Sequence, residues 1–118
     1  MKDVLPTVAE MLGGLAETAL AYRDGFTSLP CIVLSEIGNA SSVILSGADR
    51  YSIITLQLDI YHSDENSLRE LAVSANDVLA RKGIKRSFSQ FITDEKVPRM
   101  CMRYRFGLDE ASGRVVSL

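Results

Sequence analysis

The sequence predicts an α+β two-layer sandwich, with an antiparallel sheet of about four strands and two helices on one face, in the order α-β-β-α-β-β. Three observations predict it. The stretches 51–61 and 99–108 alternate apolar and polar residues at the period of a strand. The stretches 4–20 and 62–83 instead repeat apolar residues at three- and four-residue steps, as one side of a helix does. Both helices and both long strands are apolar on one side only. Laying the helices on one face of a small antiparallel sheet buries all four apolar surfaces together.

The first helix is expected over 4–20, with Val4, Val8, Met11, Leu12, Leu15 and Ala19 as its stripe, Asp3 as N-cap and Pro6 in its first turn. Gly13 and Gly14 fall in its middle, where each costs about 1 kcal/mol relative to alanine, so a bend or close approach is expected there. Asp24-Gly25 and Pro30 then turn the chain into a first strand over 31–37. The segment 38–50, "GNASSVILSGADR", reads as a loop by its glycines and serines, yet Val43, Ile44 and Leu45 are too apolar to stand in water without a partner. It is either a hairpin tip folded back on its own domain or an arm that docks on a neighbouring subunit.

In the second strand, over 51–61, Ile54, Leu56, Leu58 and Ile60 point one way and Thr55, Gln57 and Asp59 the other. The second helix is opened by Ser63 or Asp64 and closed by Arg81, Lys82 and Gly83, with Leu68, Leu71, Ala72, Ala75, Val78 and Leu79 inward. A short third strand is expected over 87–93. The last begins "RMCMRYRF", with Met100, Met102, Tyr104 and Phe106 on one side and Arg99, Cys101, Arg103 and Arg105 on the other. Residues 109–118 read as a tail whose Val115 and Val116 either add an edge strand or dock elsewhere.

At 118 residues the chain fits a single domain spanning 1–118, large enough to bury a core without a metal or disulfide staple. A formal net charge of −2 argues against a protein that coats nucleic acid. No apolar run reaches the roughly 18 residues of a membrane span, and no secretory leader pattern opens the sequence, so a cytoplasmic setting without membrane contact is expected. Cys31 and Cys101 read as small buried or half-buried residues of a reduced compartment, with a disulfide between them as the alternative.

The signatures of catalysis and cofactor binding are not met. The glycine pair lies inside a helical pattern, not at a strand-to-helix turn that could cradle phosphate. His62 precedes Ser63 and Asp64 in sequence, but adjacent residues seldom aim at one point, so it reads as a residue leading into the helix. One histidine and two distant cysteines give no metal-ligand spacing. Asp64 and Glu65 suit the positive end of a helix dipole. The expectation is therefore no enzyme, no cofactor and no metal.

The arginine side of the last strand is a real binding candidate, because guanidinium forks match carboxylate and phosphate alike. Against phosphate stand the acidic balance of the chain and the lack of an aromatic platform expected on that side. If the two long strands are neighbours, Asp59 is a cross-strand counter-charge. The face is then solvated and internally paired, a subunit interface, or a nucleic-acid surface.

"LPCIVLSEIGNASS", "YSIITLQLDIYHSDENSLRELAVSANDVLARKG" and "VPRMCMRYRFGLDE" together resemble the tail-completion, or tail-terminator, proteins of long-tailed bacteriophages and prophages. Pro30, Val33 and Leu34 approximate that family's first-strand motif, Tyr61 its strand-ending aromatic and Gly83 its helix stop. Arg103, Tyr104, Arg105 and Phe106 approximate its last strand. The resemblance covers about residues 4–108 and is at the level of fold.

It implies a structural protein without catalysis, several copies of which, commonly six, close into a ring at the head-proximal end of the tail tube. The tube protein and the head-tail connector proteins would be its partners, and DNA would pass through the ring without specific recognition. Assembly in the host cytoplasm and residence in the virion tail follow. A ring needs two different patches per subunit, for which Val43, Ile44 and Leu45 on one hand, and Thr55, Gln57, Asp59, Arg99, Arg103 and Arg105 on the other, are the candidates. Two alternatives remain open: a small ligand-binding or regulatory domain with a concave pocket, and a nucleic-acid-binding module whose affinity falls steeply with salt.

Overall fold

The computed structural model describes residues 4–20, 28–42, 51–93, 96–109 and 112–116. Helix α1 (Leu5–Leu12) is followed by strands β1 (Glu17–Leu20), β2 (Cys31–Ser42) and β3 (Tyr51–Tyr61). Helix α2 (Glu65–Arg81) then leads to β4 (Lys85–Ile92), β5 (Arg99–Asp109) and β6 (Val115–Val116). The strands form one mixed sheet in the order β1-β2-β3-β5-β4, and β6 pairs with β5 beyond the end of β4. All pairings are antiparallel except β1 with β2.

The α+β class and the two helices are as expected, whereas the count of about four strands and the order α-β-β-α-β-β are corrected. The extra strands are β1 and β6. The stripe expected to run as one helix over 4–20 breaks at Gly13, the C-cap of α1, and the chain re-enters the sheet as β1 parallel to β2. The glycine pair ends a helix where a bend within one was expected. Helix α1 carries Pro6 in its first turn, and its N-cap is Val4 without a side-chain cap; Asp3 lies outside the described residues. Of the proposed tail, Val115 and Val116 do form the edge strand, opposite Leu108 and Gly107. The segment expected to be loop from residue 38 is strand as far as Ser42, which pairs with Tyr51. Val43, Ile44 and Leu45 lie outside the described residues.

Helix α2 begins and ends as its sequence dictates. The Asp64 carboxylate accepts from the Ser67 backbone N–H at 2.9 Å and from the Ser67 hydroxyl at 2.7 Å, which holds the Asp64 carboxyl below its ordinary range. At the other end Gly83 takes φ of 82°, a left-handed conformation that only glycine adopts without strain, and the next N–H, from Ile84, returns to the Leu79 carbonyl at 3.0 Å.

One core joins both helices to one face of the sheet. Val8 and Leu12 of α1 and Leu68, Ala75 and Leu79 of α2 are fully buried in a single cluster with Ile32, Leu34, Ile54, Leu56, Leu58, Ile60, Met102, Tyr104 and Phe106. Leu71 and Val78, on the flanks of the α2 stripe, are half-buried against it. The strand register explains why. Ile54 faces Phe106, Leu56 faces Tyr104, Leu58 faces Met102, and Ile60 lies between Ile32 and Met100. Each fully buried side chain of this size contributes about 1.5–3 kcal/mol relative to exposure. Tyr104 keeps its hydroxyl satisfied by donating to Asn76 Oδ1 of α2 at 2.9 Å, so the largest core side chain also locks helix to sheet.

Candidate site on the uncovered sheet face

The opposite face of the sheet assembles every described candidate on neighbouring strands. Alternation along β3 sends Thr55, Gln57 and Asp59 to this face, and the register sets them against β5 in rows: Thr55 with Arg105, Gln57 with Arg103, Asp59 with Cys101, and Tyr61 with Arg99. β4 extends the rows, putting Lys85 beside Arg105, Phe88 beside Arg103, Gln90 beside Cys101 and Ile92 beside Arg99. On the other flank Val33 adjoins Asp59 and Ser35 adjoins Gln57.

The polar groups hold one another. Arg99 donates to Asp59 Oδ1 at 3.0 Å, Gln57 Nε2 donates to Asp59 Oδ2 at 2.8 Å, and Arg103 Nε donates to Gln57 Oε1 at 3.1 Å. Arg103 also lies over the Phe88 ring, its Cζ 5.4 Å from the centroid. The counter-charge role expected of Asp59 is thus met, reached diagonally by Arg99. Asp59 itself is buried, at 7% exposure, so both oxygens need the donors that meet them. Arg105 has no ion-pair partner among the described residues.

Two further groups on this face are dry. Cys31 and Cys101 are buried and unbridged; β3 stands between their strands, and Cys101 is two residues out of register with Cys31. Burial, reinforced by Glu17 beside it, pushes the Cys31 thiol up to about 11. Burial, reinforced by Asp59, also raises that of Cys101. Thiols held protonated in this way are poor nucleophiles.

Sequence reasoning missed Phe88. Phe88 stands on the arginine side, 42% exposed, because a bulge after Arg86 shifts the register so that Phe88 faces Arg103. Its signal was the phenylalanine in "KRSFSQFI", but which side it took depended on the bulge. His62 behaves as a residue leading into α2, its Nδ1 accepting the Asp64 backbone N–H at 3.0 Å. Among the described residues no group of histidine, cysteine and carboxylates converges as a metal site would require, and no helix is long and apolar enough to cross a membrane.

The fold and this face define a class: an α+β domain with one helix-covered sheet face and one uncovered face bearing an interlocked set of arginine, glutamine and aspartate side chains. No protein-family model matches the chain, and no curated protein matches it.

Proposed function

We propose that this protein is a structural component of a long-tailed phage or prophage tail, a terminator that closes as a ring of several copies, commonly six, on the head-proximal end of the tail tube and joins it to the head. Support comes from one observation above others. The uncovered face is a broad, pre-ordered polar surface in which Asp59, Gln57, Arg99 and Arg103 restrain each other, so meeting another protein orders few additional side chains. Arg105 and Phe88, exposed beside that network, supply a charged and an apolar contact. In this reading the face meets the tube or connector proteins, and Val43, Ile44 and Leu45 form a second patch. The role involves no bond-making chemistry, cofactor or metal. DNA passes the ring unread.

The test is assembly. Light scattering over rising concentration with negative-stain images is expected to give rings, and purified tail tubes are expected to stop elongating when the protein is added. Placing a charge at Ile44→Asp is expected to leave the fold intact and reduce capping. A protein that stays monomeric and leaves tube elongation unchanged would overturn the proposal.

A further inference from the structure

The large apolar side chains that stand exposed among the described residues fall on two sides of the sheet. Leu29 and Ile37 belong to the β2 side, and Val73 and Phe88 to α2 and β4. β3 and β5 separate the two. On the β2 side, Glu36 pairs with Leu56 and Gly38 with Thr55, which leaves Ile37 as the extra residue of a bulge, half exposed at 50%. β1 pairs with β2 from Cys31 to Leu34, so the bulge stands beyond it, and among the described residues no strand pairs with β2 there on that edge. Glu36 has no ion-pair partner among the described residues. The result is an apolar knob with an uncompensated carboxylate beside it.

The far side offers the reverse. A groove of about 170 Å³ runs between α2 and β4, with Ala72, Met100 and Met102 as floor, Val73 as wall, and Arg69 and Arg86 among its lining. That volume compares with an apolar cavity of roughly 150 Å³ that holds a benzene molecule, so a four-carbon side chain fits. Methionines make the floor adaptable to the shape it receives. Arg69 is braced over the Phe91 ring at 4.4 Å and makes only a long, exposed contact of 3.7 Å with Glu65; Arg86 has no ion-pair partner among the described residues.

We propose that the Glu36-Ile37 bulge of one copy of this chain seats in the α2–β4 groove of the next, Ile37 against Met100 and Met102, and Glu36 between Arg69 and Arg86. The occupant is a second copy because both halves of the contact, matched in polarity and opposite in charge, lie on every chain and cannot meet within one. Two different patches meeting repeatedly make a heterologous contact, which closes into a ring or runs on as a filament. This rests on the ring reading given above and deepens it by naming the patches.

Light scattering across a concentration series tests it, using wild type, Ile37→Lys, Glu36→Arg, Arg86→Glu and the double variant Glu36→Arg with Arg86→Glu. Each single variant is expected to need at least tenfold more protein for half-assembly with its thermal midpoint unchanged, and the charge-swapped double variant to recover in part, because Arg69 keeps its positive charge beside position 36. Ile37→Lys keeps its groove and Arg86→Glu keeps its knob, so an equimolar mixture is expected to stop at a one-to-one pair. Wild-type rings that all the variants also form would overturn this contact and leave the ring reading standing. Open chains that depend on these residues would support the contact and overturn the ring reading. A wild type that remains monomeric, or whose groove captures only small amphipathic anions or an unrelated protein, overturns the contact.

Discussion

On the helix-covered side of β3 and β5, Leu56 meets Tyr104 and Leu58 meets Met102, all four shut away from water. One residue along, on the other side of the same two strands, Thr55 meets Arg105 and Gln57 meets Arg103, half-buried or exposed. The backbone ladder is shared, so the difference lies in the side chains alone. Burial of the first set supplies stability. The second set is joined by hydrogen bonds near or in water, which contribute little each but fix where charges sit. Asp59, Cys31 and Cys101 blur the division: all three belong to the uncovered face and all are buried. That face is therefore wet at Arg103 and Arg105 and dry around Asp59.

The comparison can be broken most directly at its apolar side. Leu56→Ala is expected to cost about 2–5 kcal/mol in urea or thermal unfolding, because a fully buried side chain leaves a cavity; a negligible shift would mean the helices do not cover that face. The dry patch predicts an alkaline weakness. The folded state keeps the Cys31 proton to about pH 11 against an ordinary value of 9.0, and burial pushes Tyr104 from 10.0 to about 12. Above pH 9 the unfolded chain therefore binds fewer protons than the folded one, and stability, full below that pH, declines as pH rises towards 11–12. Urea midpoints measured at pH 7.5 and 10.5 should fall; a flat profile would mean that Cys31 and Tyr104 are open to water.

Asp59→Ala removes the carboxylate that accepts from both Arg99 and Gln57, and a loss of about 1–3 kcal/mol is expected from groups left short of partners. Smallest of all is Arg105→Ala, expected to move stability by no more than about 0.5 kcal/mol. If capping of tail tubes by that variant weakens while its unfolding curve overlays wild type, the two faces have separate duties. A large loss of stability would erase the distinction.

The long elements were legible because their apolar period is set by which side is buried, and that period survives in the sequence of β3, α2 and β5. The start of α2 at Asp64 and its stop at Gly83 were legible for local reasons, a carboxylate facing free N–H groups and a left-handed turn. β1 was not. Leu15, Ala16, Ala19 and Leu20 continue a helical spacing, and only pairing with β2, across intervening sequence, makes residues 17–20 a strand. For the candidate face, the residues could be named from alternation but their partners could not. The bulges at Ile37 and after Arg86 each shift a register by one residue, and so decide that Phe88 rather than a neighbour lies beside Arg103.

Local patterning alone determined that this chain is α+β, which residues of its long strands turn inward, and that its arginines share one side of the last strand. Tertiary structure decided that β3 and β5 are neighbours, that Asp59 sits within reach of Arg99, and that the Ile37 bulge and a basic groove occupy separate sides of the sheet. The physical reason is that side-chain direction repeats every two residues along a strand, whereas strand order and register are set by contacts between residues as far apart as Asp59 and Arg99.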